Sequence, residues 1–242
     1  MTIYDILILQ IIAHLLADYT FQSELWVEEK RLKGIWSWAM IRHVLVVLFL
    51  SFVLSNQWLF IFPSLLIAVS HMVIDGFKEK LRLRKYTFFI DQALHLAIII
   101  GIVILFEKYY GITPIIQLPL NTHYLIIIAA FIFCTKPANI LIKEIFKYYE
   151  IVIPQIPNNN VLQIPNNDLL NAGKIIGILE RILTVIFVLR GQYEAVGFLI
   201  AAKSILRYEG NNAARTEYVL IGTLLSFGIA IITSVAILKL IS

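Results

Sequence analysis

The sequence predicts an all-α protein that crosses a membrane several times. Of its 242 residues, 60% are hydrophobic and only 15% charged, whereas soluble domains run closer to half and a quarter. Mean hydropathy is +0.83. Apolar runs of about twenty residues recur along the whole length, enough to cross a hydrocarbon core ~30 Å thick. These runs lack the alternation of barrel strands, so the spanning elements are helices.

Eight spans are expected, at about 3–20, 36–55, 57–76, 87–106, 122–142, 170–189, 192–207 and 217–240. The opening Met1-Thr2-Ile3-Tyr4-Asp5 lacks a basic n-region and a small-residue cleavage pattern, so the first span reads as retained. The seventh is short and near the lower limit for a full crossing. A single cysteine, Cys134, excludes an internal disulfide and a cysteine metal cluster.

Lys and Arg set the orientation. Loop one has Lys30, Arg31 and Lys33, and loop three has Lys78, Lys80, Arg82, Arg84 and Lys85. Lys143, Lys147 and Lys174 belong to the fifth connection, and Lys203, Arg207 and Arg215 to the seventh. The intervening loops and the C-terminus hold only Lys108, Arg190 and Lys239. The alternation places odd-numbered loops in the cytoplasm and both termini outside. It also accounts for the net charge of +4 without a nucleic-acid partner; the bilayer is the expected partner. Trp26, Trp36, Trp38 and Trp58 fall near span ends as interfacial anchors, and the stem of Arg42 lets its charge reach the headgroups.

The chain divides into halves, 1–150 and 151–242. Between them, 151–170 is a cytoplasmic connection in which Gln-Ile-Pro-Asn-Asn occurs at 155–159 and again at 163–167. Proline breaks helices and asparagine favours turns.

The first half carries the functional signal. His14–Asp18, His71–Asp75 and Asp91–His95 each stand four apart at the edge of an apolar run, which places both members on one helix face. His43 lies about two turns into the second span. All seven groups are expected roughly 5–15 Å below the cytoplasmic boundary, at 1.5 Å per residue. Gln22 extends the first stripe by a turn, while Gln92 points ~100° away from Asp91. The extracellular halves of the spans look almost purely apolar. Ionisable groups at membrane depth face a bundle interior and mark a site. Imidazole with carboxylate suits Zn, Mn or Fe, and His14, Asp18, His71, Asp75, Asp91 and His95 are the candidate ligands. His43 is a further ligand or a general base. Lys78 shares the His71–Asp75 face, either binding a substrate phosphate or snorkelling to the interface. A metal-free hydrogen-bonded network is the structural alternative.

The second half offers Glu180 and Arg181 in the sixth span, Lys203 and Arg207 four apart on the seventh, and Glu217 opening the eighth. They form an ion-pair lock among three helices or a headgroup pocket. Gly173 and Gly177, and Gly222, Ser226 and Ala230, keep small faces for close helix approach.

The stretches His14-Leu-Leu-Ala-Asp18-Tyr-Thr-Phe-Gln22, His71-Met-Val-Ile-Asp75-Gly-Phe-Lys78 and Asp91-Gln92-Ala-Leu-His95, with His43 between, resemble a bacterial integral membrane family known as domain of unknown function 3307. Gly177-Ile-Leu-Glu180-Arg181, Ala202-Lys203-Ser204-Ile-Leu-Arg207 and Glu217-Tyr218-Val-Leu-Ile-Gly222 resemble its longer members. The resemblance implies the bacterial inner membrane and no particular activity. The His/Asp layout is also similar to that of membrane-bound metal-dependent hydrolases.

The expected function is therefore an intramembrane divalent-metal site near the cytoplasmic face, hydrolysing a lipid-like or membrane-embedded substrate. A proton- or cation-coupled transporter is the first alternative. A scaffold whose basic loop 78–85 holds a soluble cytoplasmic partner is the second.

Overall fold

The computed structural model describes residues 1–78, 86–117, 121–151, 166–206 and 213–241, and among them it is helical with no strand. Five helical segments are long and apolar enough to cross a membrane: Ile3–Phe21, Trp38–Ser55, Trp58–Lys78, Thr87–Tyr110 and Thr216–Ile241. The bent pair Thr122–Phe133 and Lys136–Tyr148 makes a sixth if it crosses as one. The remaining expected spans, near 170–189 and 192–207, do not stand out in the same way. Tyr193–Leu206 has 14 residues, a rise of about 21 Å, which is short of the core thickness.

Chain contacts divide the protein into two compact units, Met1–Ile132 and Phe133–Ser242. In the first, α1 (Ile3–Leu15) opens on a capping box: Asp5 N–H donates to Thr2 Oγ1 at 3.3 Å and Thr2 N–H donates to Asp5 Oδ2 at 2.6 Å. These bonds satisfy donors that a helix start leaves orphaned. The other Asp5 oxygen accepts from the Thr122 hydroxyl at 2.6 Å. After α1 the helix widens into one π-helical stretch, Leu16–Phe21, and ends at an extended Gln22. The 14–18–22 stripe expected from ordinary helix spacing therefore stops at Asp18.

An unexpected short helix, α2 (Glu24–Lys33), occupies loop one. Ser23 caps it, Glu24 lies in its first turn, Lys30, Arg31 and Lys33 lie in its last, and Gly34 ends it at φ +64°. This order of charges complements the helix dipole. Next come α3 (Trp38–Ser55), capped by Ser37 and closed by a left-handed Asn56, and α4 (Ile61–Lys78). The helix α5 (Thr87–Tyr110) completes the bundle, and α6 (Thr122–Phe133) follows. α1 packs on α3 and α5, and α4 packs between α3 and α5.

The core is apolar at one end, where Ile6, Phe60, Val103 and Phe106 pack together, and polar at the other. Leu45, Phe49, Phe62, Leu66 and Ile104 are exposed on the outside. That inside-out distribution suits a lipid environment, where polar groups retreat inward. Trp36, Trp38 and Trp58 are all well exposed at helix ends.

The second unit contains α7 (Lys136–Tyr148), α8 (Asn166–Leu189), α9 (Tyr193–Leu206) and α10 (Ala213–Ile241). α10 packs along α8, which also carries α9, and α7 touches both α8 and α10. Phe146 meets Tyr218 with ring centroids 4.9 Å apart and lies against Gly222. The Gln-Ile-Pro-Asn-Asn repeats and most of the basic loop 78–85 lie outside the described residues.

Candidate metal centre

Four helices of the first unit bring seven ionisable side chains to one end of the bundle: His14 and Asp18 from the first span, His43 from α3, His71 and Asp75 from α4, and Asp91 and His95 from α5. His43, His71, His95, Asp91 and His14 are buried. The side chains of Asp18 and Asp75 are only 12% and 9% exposed. The i,i+4 pairs converge because α1 and α4 arrive at this end as α3 and α5 leave it. The π-helical stretch keeps Asp18 facing inward in the last turns of its span; such bulges gather at functional sites.

The contacts are close. His43 Nε2 is 2.8 Å from His71 Nε2, and Asp18 Oδ1 is 3.4 Å from the first and 3.2 Å from the second. Asp75 Oδ2 lies 3.8 Å from His43 Nε2. Asp75 Oδ1 and Asp91 Oδ1 lie 3.6 and 3.5 Å from His95 Nε2. The rings of His71 and His95 stack at 3.9 Å, and His14 sits 5.3 Å from His95. Three groupings have donor atoms mutually within 4.8 Å: His14, Asp18 and His71; His43, His71 and Asp75; and Asp75, Asp91 and His95. Buried in this knot, Asp18 Oδ1, His43 Nδ1, Asp91 Oδ1 and His95 Nε2 make no hydrogen bond of adequate geometry. Buried polar atoms are normally satisfied, so each such orphan calls for a partner. Two cavities of about 10 Å³, each the size of a single water, border His71; one also touches His95 and the other His14, Gln10 and Ser51.

Two lysines face the carboxylates. Lys78 Nζ bonds to Asp91 Oδ2 at 2.7 Å, and Lys30 Nζ forms an ion pair with Asp75 Oδ2. Lys78 thus turns back to the cluster rather than snorkelling away. Lys30 was not a sequence candidate, because it belongs to α2, a helix outside the spans. Ser23 as a cap, basic residues in the last turn and Gly34 as a stop were the available signal. Arg42 donates to the Trp38 carbonyl and to Glu29 at 3.3 Å each, and stacks over Trp26. These contacts tie α2 to α3.

Gln92 also departs from expectation. Its Oε1 accepts from the Tyr19 hydroxyl at 2.9 Å and lies 3.1 Å from His14 Nε2, and its amide donates to Asp91 Oδ2 at 3.2 Å. A long amide can reach around the helix from a position that spacing alone places off the face. Nor is the deeper bundle purely apolar near the cluster. Gln10 Nε2 donates to the Ser51 carbonyl at 2.9 Å. The Ser51 hydroxyl lies 2.6 Å from Gln10 Oε1 and 3.2 Å from Ser64 Oγ. Gln10 precedes His14 by four residues, so one more turn of the same stripe was the missed signal.

Residues 6–117 match the family model described as "Protein of unknown function (DUF3307)". Over this segment the chain is similar to DUF3307. The DUF3307 segment contains all seven residues of the cluster, with Lys30, Lys78, Gln92 and Tyr19. No curated protein and no solved structure matches the chain.

Outside the DUF3307 segment, Glu180 and Lys203 form an ion pair, with side chains 12% and 13% exposed. Arg181 does not join an ion-pair or headgroup site. It is 1% exposed and donates to the carbonyls of Cys134 and Thr135 at 2.7 and 3.3 Å, to Asn139 Oδ1 at 2.6 Å and to Ser226 Oγ at 3.0 Å. The acceptors include carbonyls freed where the chain breaks ahead of α7, whose first turn holds Pro137. A Cβ at Gly177 would sit 3.3 Å from this guanidinium, whereas Gly173 has open space around it. Glu217 is exposed and makes no ion pair among the described residues. Arg207 lies outside them.

Proposed function

We propose that the DUF3307 domain is an intramembrane metal centre near the cytoplasmic face of a bacterial inner membrane, and that it hydrolyses a lipid-like or membrane-embedded substrate. The observation that carries this is the triangle of His43 Nε2, His71 Nε2 and Asp18 Oδ1, with edges of 2.8, 3.2 and 3.4 Å. Three lone-pair donors at that spacing repel one another unless protons or a cation lie between them. Ligands about 2.1 Å from one ion stand ~3.0–3.4 Å apart, and imidazole with carboxylate suits Zn, Mn or Fe. Asp75 approaches the same point. His14, held by Gln92 at one nitrogen and 3.9 Å from Asp18 Oδ2 at the other, orients the carboxylate.

A divalent ion here would lower the pKa of a bound water to near neutrality and make it a nucleophile. The surrounding side chains supply the rest. The water-sized cavities beside His71 have room for solvent next to the donors, and the ammonium groups of Lys30 and Lys78 favour a substrate with negative charge. The basic residues at this end of the bundle favour the cytoplasmic side. An even number of spans then leaves both termini outside.

Metal analysis of the purified, folded chain tests the centre. A stoichiometric Zn, Mn or Fe that is lost in His71→Ala and Asp18→Ala is expected. A wild-type protein that stays metal-free after equilibration with all three ions overturns it.

The transporter reading draws on one observation, the Gln10–Ser51–Ser64 chain leading inward from the histidines. That chain meets the apolar packing of Ile6, Phe60, Val103 and Phe106, so a continuous path requires this packing to open. Proteoliposome flux that titrates near the histidine pKa, ~6.5, would favour transport over hydrolysis.

A further inference from the structure

We infer that the cluster holds a second divalent-cation position, formed by Asp75 Oδ1, Asp91 Oδ1 and His95 Nε2, with Asp75 bridging to the first. This rests on the metal-centre proposal and adds stoichiometry and a shared ligand to it.

Asp75 divides its two oxygens between neighbours. Oδ2 looks toward His43, 3.8 Å away, and Oδ1 toward His95, 3.6 Å away. Asp91 Oδ1 approaches His95 Nε2 from the other side at 3.5 Å. None of these distances is a good hydrogen bond. Asp91 Oδ1 and His95 Nε2 are both withdrawn from solvent and without a hydrogen-bond partner, in residues 4% and 2% exposed. Buried orphans facing each other across an ion-sized gap point to a ligand between them.

The Oδ2 atoms also carry ammonium contacts, Asp75 Oδ2 in addition to facing His43. Lys30 and Lys78 hold Oδ2 of Asp75 and Oδ2 of Asp91, which turns both Oδ1 atoms toward His95. Stacking of His71 on His95 at 3.9 Å places a ring donor of each proposed position side by side, as a bridged pair of ions requires. Two-metal sites have ions ~3.5–4 Å apart and clamp the attacking and leaving oxygens of a displacement.

Charge sets the loading order. Three carboxylates carry −3 and the two lysines return +2. One divalent ion leaves +1, and two leave +3. The second ion therefore binds more weakly than the first and brings anions with it, hydroxide or phosphate from solvent. Removing the Lys78 charge should tighten it.

The experiment equilibrates the folded wild-type chain with excess Mn(II) in the presence of inorganic phosphate. Bound manganese is counted, and its electron paramagnetic resonance spectrum is recorded. Two ions per chain with an exchange-coupled spectrum are expected. Asp91→Asn and His95→Ala should each retain one ion with an uncoupled six-line spectrum. Lys78→Gln should tighten the weaker ion by about tenfold, which is ~1.4 kcal/mol. One uncoupled ion in the wild type, unchanged by Asp91→Asn, overturns the second position and leaves the first standing. No bound ion overturns both. The wild-type spectrum decides the question even where a variant fails to fold.

Discussion

His43 Nε2 and His71 Nε2 lie 2.8 Å apart, each on a ring shut off from solvent. One proton between them makes a hydrogen bond, and two make a repulsive contact. A metal needs both lone pairs, so proton and metal compete for the same atoms. Bound metal should therefore be retained at neutral pH and released on acidification. Metal content after dialysis at a series of pH values checks this. Full retention at pH ~5 would contradict it.

Gly76 lets the chain after α2 close over the cluster. A Cβ there would run into the Ile35 side chain, so Gly76→Ala should push 34–36 outward and strain the Lys30–Asp75 pair one residue away. Overpacking of this kind costs about 1–3 kcal/mol. A lower melting temperature in detergent is expected, together with looser metal retention. An unchanged melt would show that Ile35 can move without consequence.

Gln92 joins Tyr19 and His14 to Asp91. Tyr19→Phe removes one hydrogen bond and should cost ~1 kcal/mol. Gln92→Leu strands several buried polar atoms at once and should cost more, ~2–4 kcal/mol. The double variant should fall short of the sum, because both changes cut one network. Additive losses in reversible unfolding would dissolve that network into independent contacts.

The parts legible in the sequence were those with a short-range rule behind them. His14–Asp18, His71–Asp75 and Asp91–His95 follow helix spacing, and the cost of ionisable groups in lipid told which way they face. Lys30 was hidden because its helix folds back from outside the spans. Gln92 was hidden because the reach of a side chain matters as much as its angle. Gln10 with Ser51 and Ser64 looked like isolated polar residues on separate helices until packing joined them. Arg181 misled for another reason. Beside Glu180 it resembles half of an ion pair, but a broken helix supplies carbonyls that serve a guanidinium equally well, and Pro137 marked that break.

Arg181 leads to a test in the second unit. Arg181→Ala should release the carbonyls of Cys134 and Thr135 and destabilise by about 3–5 kcal/mol, a typical range for breaking a buried charged network. Arg181→Lys should rescue little, since an ammonium cannot reproduce the fork. Cys134 is fully buried and free, so its alkylation by a maleimide reports the same event. Rapid labelling is expected in Arg181→Ala and slow labelling in the wild type. Equal rates would separate the arginine from the local fold.

The wide turn at Leu16–Phe21 has a consequence for how such a centre could arise or be lost. A π-helical stretch is an ordinary helix carrying one surplus residue, and each residue turns the chain by ~100°. Deleting Leu16 or Ala17, ahead of Asp18, would let the backbone relax to common helical winding and still bury much the same apolar stripe on α3 and α5. Whatever follows the deletion would rotate relative to His14. A folded bundle and an assembled centre are thus separable properties of this chain, and a single lost codon could take away the second while leaving the first.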